Sequence, residues 1–185
     1  MVKRPLDVAL GLLGLALAAP LLAVAAIGIR LSSPGPVFYR ARRVGRNGAG
    51  FTMYKLRTMH PHAGAASAIT GRNDPRVFPV GAWLRRTKID ELPQLFNVLR
   101  GDMSLVGPRP ALRWEVELYQ HHHHHERFLV RPGITGLWQV SGRSRLTMTQ
   151  ALDLDVEYAR RRSVLFDLWI LIRTVPAVLP FGAAR

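Results

Sequence analysis

Val8–Ile29 reads VALGLLGLALAAPLLAVAAIGI, and none of these 22 residues is charged. As a helix the run would measure about 33 Å, which is enough to cross a bilayer core of about 30 Å. Its apolar residues surround the whole circumference, whereas a soluble surface helix carries a single apolar stripe. It is too long, and lacks the cleavage site, for a typical signal peptide. The stretch therefore predicts a membrane element near the start of the fold.

Two features of this run favour a hairpin that enters and leaves the membrane on one face. Pro20 near its middle removes a backbone hydrogen bond and clashes with the carbonyl of Ala16, which kinks or breaks a helix. A simple span carries its positive flank on one side. Here basic residues stand on both flanks: Lys3, Arg4, Arg30, Arg40, Arg42, Arg43 and Arg46. An ordinary kinked transmembrane helix remains the alternative at this point.

The composition indicates an anionic partner. The 185 residues include 26 Lys or Arg and 12 Asp or Glu, for a formal charge of +14. Nucleic acid, anionic lipid and a phosphorylated substrate all fit that charge, but a nucleic-acid-binding protein would leave the apolar run unexplained. The chain has no cysteine, which excludes a disulfide scaffold, thiolate metal sites and a cysteine nucleophile.

The rest of the chain predicts an α+β fold, mostly helical with a small β element. The turn-rich segment Ser32–Pro36 divides the membrane element, residues 1–31, from a globular part, residues 32–185. Short strands are expected at Val37–Tyr39 and Phe51–Leu56, around a turn at Gly45–Gly50. The expected helices are Val80–Thr87, Asp90–Arg100, Ala111–Arg127, Thr147–Arg162 and the apolar Ser163–Leu179, which suits either a core or a membrane interface.

The pair Asp90-Glu91 is the main candidate for chemistry. We expect Asp90 to cap a helix that ends at Gly101, which places both carboxyls at the positive end of the helix dipole. Such a place also attracts phosphate, and a carboxylate beside phosphate needs a cation such as Mg²⁺. Aspartate can also attack phosphorus directly. A plain helix cap explains the same two residues.

Two rigid turns add arginines to this candidate site. Gly107–Pro110 presents Arg109, and Arg131–Gly136 leads on to Arg143. Arginine binds phosphate through two parallel hydrogen bonds. Together with the acid pair, these turns suggest a site that handles phosphate.

The chain resembles the bacterial sugar transferases known as monotopic phosphoglycosyltransferases, over essentially its whole length. A contiguous match of this length is far more specific than a lone short motif. The segments that carry the resemblance are Lys3-Arg4 with Asp7, Tyr54–Met59, Asn73–Arg76, Lys88–Pro110 and Val130–Arg143.

This resemblance implies transfer of a phospho-sugar from a UDP-sugar to a polyprenyl phosphate such as undecaprenyl phosphate, with release of UMP. That step begins the assembly of capsule, exopolysaccharide, O-antigen or glycoprotein glycans. It implies that Asp90 is the nucleophile and forms a phosphosugar-aspartyl intermediate, and that Glu91, with Asp90, holds Mg²⁺. The implied substrate-binding residues are Arg143, Arg109, Arg85, Lys55 and Arg57.

The resemblance also implies a re-entrant membrane helix broken at Pro20, with amphipathic interfacial helices beside it. Many members have Ser-Pro at the break, and this chain has Ala19-Pro20. The expected place is the bacterial inner membrane, with the catalytic part on the cytoplasmic face against anionic lipids; a homodimer is possible. The chain is similar to the small, minimal members.

Two further interpretations complete the expectations. A non-catalytic membrane-surface module that recruits a glycan assembly complex is the alternative to an enzyme, although the intact Asp90-Glu91 pair disfavours it. The histidine run His121–His125 is interpreted as a solvated polar face, since consecutive residues point around a helix and few could share one metal ion.

Overall fold

The computed structural model describes residues 2–61, 74–119, 123–142 and 145–178. They form the predicted α+β fold, mostly helical with two small sheets. In chain order the elements are α1 Lys3–Ser32, β1 Phe38–Val44, β2 Gly50–Leu56, α2 Pro79–Thr87, α3 Gln94–Arg100, β3 Ser104–Val106, α4 Arg113–Tyr119, β4 Gly133–Thr135, α5 Leu137–Ser141, α6 Met148–Arg161 and α7 Val164–Val178. Short 3-10 segments lie at Arg46–Gly48, Ile89–Glu91 and His123–Leu129.

β1 and β2 form the expected hairpin, but β1 is longer than the predicted Val37–Tyr39. The two strands pair antiparallel from Phe38 opposite Leu56 to Val44 opposite Gly50. Only Ala41 of β1 is buried, so the strand carries little of the alternation that marks a half-buried strand. Hydrogen bonding to β2, and not burial of its own side chains, makes this segment a strand.

β3 and β4 pair in parallel and were not predicted. Ser104 lies opposite Gly133, and Val106 lies opposite Thr135. Each strand has three residues and needs a partner distant in sequence, so no local pattern marks it. The pairing joins the two arginine turns. The N–H of Gly107 donates to the Thr135 carbonyl at 2.9 Å, and the N–H of Gly133 donates to the Pro108 carbonyl at 2.8 Å.

The helix predictions are confirmed in most places. Thr147 caps α6 through a capping box with Gln150, and Gly101 ends α3 with φ of 93°. The predicted helix Asp90–Arg100 is wrong at its start, because Asp90 lies in the 3-10 segment and α3 begins only at Gln94. Lys88, with φ of 61°, ends α2 in the left-handed region and turns the chain at this point.

The predicted helix Ala111–Arg127 is shorter than expected. α4 covers Arg113–Tyr119, and the chain from His123 to Leu129 forms a 3-10 segment. His121 and His122 lie outside the described residues. His124 is buried and bonds the Asp153 carboxylate at 2.9 Å, so at this position the solvated polar face is wrong.

α1 runs from Lys3 to Ser32 with Pro20 inside it, and the re-entrant path expected for this element stays a prediction. Pro20 lies inside α1 without interrupting it. A proline removes a single backbone hydrogen bond, which a helix of 30 residues tolerates when its flanking turns are held. The buried positions repeat along one face as a narrow seam: Asp7, Gly11, Ala18, Ala25 and Ile29. The remaining face is exposed and rich in leucine.

The N-terminal end of α1 is bound to the globular part by polar contacts. Asp7 is buried and accepts hydrogen bonds from the Ser104 hydroxyl at 2.8 Å and from the Leu105 N–H at 3.1 Å. Lys3 forms an ion pair with Asp167 on α7 at 2.5 Å. These contacts attach the start of the membrane element to β3 and α7.

The C-terminal end of α1 is bound to the same globular part by apolar packing. Ala25 and Ile29 share one buried cluster with Leu56, Phe78 and Leu84. Both ends of α1 therefore contact one body, and the buried seam continues between them.

α7 has features of both a core helix and an interfacial helix, the two alternatives that the sequence left open. Ile170 is fully buried in a cluster with Tyr158 and Leu137. The opposite side is apolar and exposed, and its members are Leu165, Leu168, Trp169, Ile172 and Val175. Such a helix packs on the core and presents an apolar face outward.

Replacing Gly133 by alanine tests the β3–β4 contact. A Cβ at this position would lie 2.1 Å from the backbone nitrogen of Gly107, which a flexible side chain cannot relieve. We expect Gly133→Ala to lower the free energy of unfolding by about 3 kcal/mol, the upper end for overpacking. Thermal unfolding of the detergent-solubilised protein measures the loss.

Gly50→Ala is the matched control. Its Cβ would meet no atom nearer than 4.0 Å, so the expected change is within about 0.5 kcal/mol. Equal unfolding temperatures for the two variants would contradict the contact.

Candidate functional site

A cationic cleft of about 1170 Å³ lies between the β1–β2 hairpin, the end of α1 and α2. Asp90 is the one carboxylate among its lining residues within the described part of the chain. The basic lining residues are Arg30, Arg40, Arg43, Lys55, Arg57, Arg76 and Arg85. A concave surface with this imbalance of charge attracts and concentrates anions.

Three of these arginines were assigned to the membrane surface by their place in the sequence. Arg30, Arg40 and Arg43 belong to the basic flank after the apolar run, yet all three line the cleft. The β1–β2 hairpin brings them there, and its length was underestimated.

The local backbone holds Asp90 at the edge of this cleft. The 3-10 segment Ile89–Glu91 follows the left-handed Lys88, and Ile89 is anchored in the buried cluster under α1. Asp90 itself is 7% exposed. Its Oδ1 atom is buried and has no hydrogen-bond partner within the described residues. A buried carboxylate oxygen of this kind costs free energy, which a bound ligand or metal ion can offset.

The two carboxyls of the pair have opposite pKa shifts. Burial and the neighbouring charge of Glu91 raise the pKa of Asp90 to about 6, against the pull of Lys55 and Lys88. Burial also opposes ionisation of Glu91, but Lys55 and Lys88 outweigh it and lower the pKa of that carboxyl. Lys55 donates directly to the Glu91 carboxylate at 3.0 Å. Environments that separate the pKa values of two neighbouring acids mark different roles for them.

Arg85 and Lys88 complete the positive surroundings of the pair. Arg85 lies on α2 and donates from Nε to the Thr58 hydroxyl at 3.0 Å. α2 approaches this loop closely because Gly81 has no side chain, and a Cβ there would lie 2.3 Å from the Thr58 carbonyl oxygen. Lys88 was not predicted as a site residue, and its charge acts on both carboxyls.

Arg57 holds the end of α1. Its Nη1 and Nη2 atoms donate to the hydroxyl and the carbonyl of Ser33 at 2.8 Å and 2.7 Å, and Nε donates to the Pro36 carbonyl at 2.5 Å. The guanidinium also lies 5.6 Å from the centre of the Phe78 ring. We therefore interpret Arg57 as a clamp between the membrane element and the cleft.

Arg109 and Arg143 are the other two arginines predicted to bind substrate. Arg109 is not among the residues that line the cleft, but its charge lowers the pKa of Glu91 and of Arg43. Its guanidinium lies 5.9 Å from the centre of the Trp138 ring. Arg143 lies outside the described residues.

The acid pair fits a magnesium ion. No group of three or more His, Cys, Asp or Glu suited to a metal occurs among the described residues. Mg²⁺ does not need one, since it binds through one or two carboxylates, keeps several waters and takes phosphate oxygens as ligands. The unpartnered Oδ1 of Asp90 and the carboxylate of Glu91 supply oxygens of the required kind.

The family model described as bacterial sugar transferase matches residues 1–180. The chain is 48% identical over 185 residues to the UDP-glucose:undecaprenyl-phosphate glucose-1-phosphate transferase of Caulobacter vibrioides, covering 96% of this chain and 69% of that protein.

Two further relatives match different shares of this chain and of their own lengths. The exopolysaccharide production protein ExoY of Rhizobium meliloti is 40% identical over 96% of this chain and 85% of its own length. The putative undecaprenyl-phosphate N-acetylgalactosaminyl 1-phosphate transferase of Bacillus subtilis is 50% identical over 65% of this chain and 68% of its own. With its acid pair set in a cationic cleft, the chain belongs to the bacterial sugar transferase family and is a transferase.

Proposed function

We propose that this chain transfers a phospho-sugar from a UDP-sugar to undecaprenyl phosphate and releases UMP, as the membrane step that starts an exopolysaccharide or related glycan. The observation that carries the proposal is the buried Asp90, whose pKa is raised to about 6 and whose Oδ1 has no partner in the described chain, at the edge of a cleft lined by arginines. The names of the relatives support the same substrates.

In the proposed first step, Asp90 attacks the phosphorus that bears the sugar. The new bond joins a carboxylate oxygen of Asp90 to phosphorus, and the bond from phosphorus to the UMP oxygen breaks. In the second step a phosphate oxygen of undecaprenyl phosphate attacks the same phosphorus. The aspartyl bond breaks, the lipid diphosphate sugar forms, and the Asp90 carboxylate returns.

The surrounding cations bind and orient the phosphates. The charges of Arg85 and Lys55 act on Asp90, and the charge of Arg109 acts on Glu91. We place Arg143 with them from the family motif. Mg²⁺ held by Glu91 and Asp90 would neutralise charge on the phosphoryl oxygens. Lys55 keeps Glu91 ionised, which leaves Asp90 as the acid that titrates near neutral pH.

The attachment of α1 supports a monotopic position on the cytoplasmic face of the bacterial inner membrane. Lys3 and Asp7 at one end and Ile29 at the other contact the same globular part. A helix that crossed the bilayer fully would separate its ends by the membrane. The exposed leucines of α1 and the apolar side of α7 would face lipid, and basic residues would face anionic headgroups. A homodimer stays a prediction.

Asp90→Asn tests the nucleophile. The amide cannot form the aspartyl phosphate, so we expect UMP release from a panel of UDP-sugars with undecaprenyl phosphate and Mg²⁺ to fall at least about 10³-fold. Arg42→Gln, on the exposed side of β1, is the control and should keep its rate. Substantial turnover by Asp90→Asn would remove Asp90 from the mechanism. A wild-type protein that releases no UMP would favour the non-catalytic module.

The raised pKa of Asp90 predicts a titration near pH 6 in metal-free protein. Burial disfavours the carboxylate, so the side chain should remain protonated about two pH units above an ordinary aspartate. Carbon-13 NMR of labelled aspartate in detergent with EDTA measures it, and Asp90→Asn assigns the signal. A midpoint below pH 4 would contradict the burial argument.

Removing divalent metal tests whether the reaction requires Mg²⁺. EDTA should abolish UMP release, and excess Mg²⁺ should restore it. Glu91→Gln should raise the Mg²⁺ concentration needed for half-maximal rate about 10- to 100-fold. Full activity in EDTA would exclude a required metal.

Labels placed before and after α1 test its topology. Single cysteines replacing Val2 and Gly48, in a chain that has none of its own, should react with an impermeant maleimide from the same side of the membrane. Reaction from opposite sides would make α1 a spanning helix.

A further inference from the structure

A buried ion pair outside the cleft holds the backbone of Arg109. Arg127 lies in the 3-10 segment His123–Leu129, and Asp155 lies on α6. Their Nη2 and Oδ2 atoms are 2.7 Å apart, and their side chains are 5% and 3% exposed. The proposed chemistry uses neither residue.

Each member of the pair bonds a different backbone group of Arg109. The Arg109 N–H donates to Oδ2 of Asp155 at 3.2 Å, and Nη2 of Arg127 donates to the Arg109 carbonyl oxygen at 2.6 Å. The Asp155 carboxyl oxygen therefore meets the donor of this residue, and the Arg127 guanidinium meets its acceptor. Hydrogen bonds to charged groups are stronger than neutral ones and more directional.

Three further contacts restrict the same residue. Pro108 and Pro110 fix the backbone torsion φ on both sides of Arg109. The Pro108 carbonyl accepts from the Gly133 N–H, which ties the turn to β4. The Trp138 ring lies beneath the guanidinium at 5.9 Å. Only the side chain of Arg109 is left exposed, and its charge acts on Glu91.

We infer that Asp155 and Arg127 are positioning residues, which aim Arg109 at the phosphate that Asp90 attacks by binding both backbone polar groups of Arg109. This inference rests on the proposed function. Stability alone is a weak reason for such a pair, because two apolar residues of similar volume often serve a core as well or better. Apolar residues cannot form the two hydrogen bonds that hold the Arg109 backbone.

The test separates positioning from stability by removing both charges together. Asp155→Leu combined with Arg127→Met removes both members of the pair, so neither is left buried without the other, and the unfolding temperature should stay near that of the wild type. Without the pair, the Arg109 guanidinium is no longer held in position. We therefore expect kcat to fall about 100-fold, as it does when a catalytic group is slightly misplaced. Asp155→Asn keeps an oxygen acceptor for the Arg109 N–H and should lose less.

Arg109→Ala provides the second half of a double-mutant cycle. If the pair acts through Arg109, the Leu/Met replacement should add no further loss in the Arg109→Ala background. UDP affinity, measured by calorimetry, should follow the same pattern without requiring turnover. Glu157→Gln, an exposed position on α6, is the control and should change neither quantity.

Two results would overturn the inference. One is a wild-type rate and UDP affinity for the Leu/Met protein. The other is a loss that multiplies that of Arg109→Ala in full, which would indicate a structural role independent of Arg109. A wild-type protein that binds UDP but releases no UMP would contradict the proposed function alone, because the binding cycle still reports on Arg109.

Discussion

The contact between the backbones of Gly107 and Gly133 is the constraint on which much of the structure depends. It joins two turns that are distant in sequence, with no room for a side chain on either glycine. The β3 strand formed there donates hydrogen bonds to Asp7 at the start of α1, and the Val106 carbonyl accepts from Lys3 and Tyr158. One close approach thus sets the place of the membrane element, of α6 and α7, and of the turn that carries Arg109.

The acid pair shows how a fold separates the roles of two adjacent carboxyls. The 3-10 segment turns Asp90 toward the interior and leaves Glu91 in contact with Lys55. Burial raises the pKa of the first, and the ion pair lowers the pKa of the second. A regular helix cap would have kept Asp90 bonded to backbone N–H groups and ionised at lower pH. The position of Asp90 outside a helix cap is therefore part of the reason for its raised pKa.

Several predictions from local pattern were confirmed, and strands were predicted less well than helix ends. Thr147 and Gly101 mark helix ends by their own side-chain chemistry, so their positions were predictable. β3 and β4 depend on partners far along the chain, so local periodicity missed them. β1 pairs with the neighbouring β2, but only its Ala41 is buried, so too little alternation was present to predict its full length. α1 continues through Pro20, held by contacts at both ends and along a seam of small residues, and its re-entrant path stays a prediction.

The sequence by itself determined the apolar helix, the excess of positive charge, the acid pair and the family, because each depends on residue type and order along the chain. Only the tertiary structure decided which arginines serve which purpose. Arg57 became a clamp, Arg43 a cleft residue, and Arg127 a partner of Asp155. A guanidinium carries the same charge everywhere, and only its neighbours in space set whether it binds a carbonyl, a carboxylate or an incoming phosphate.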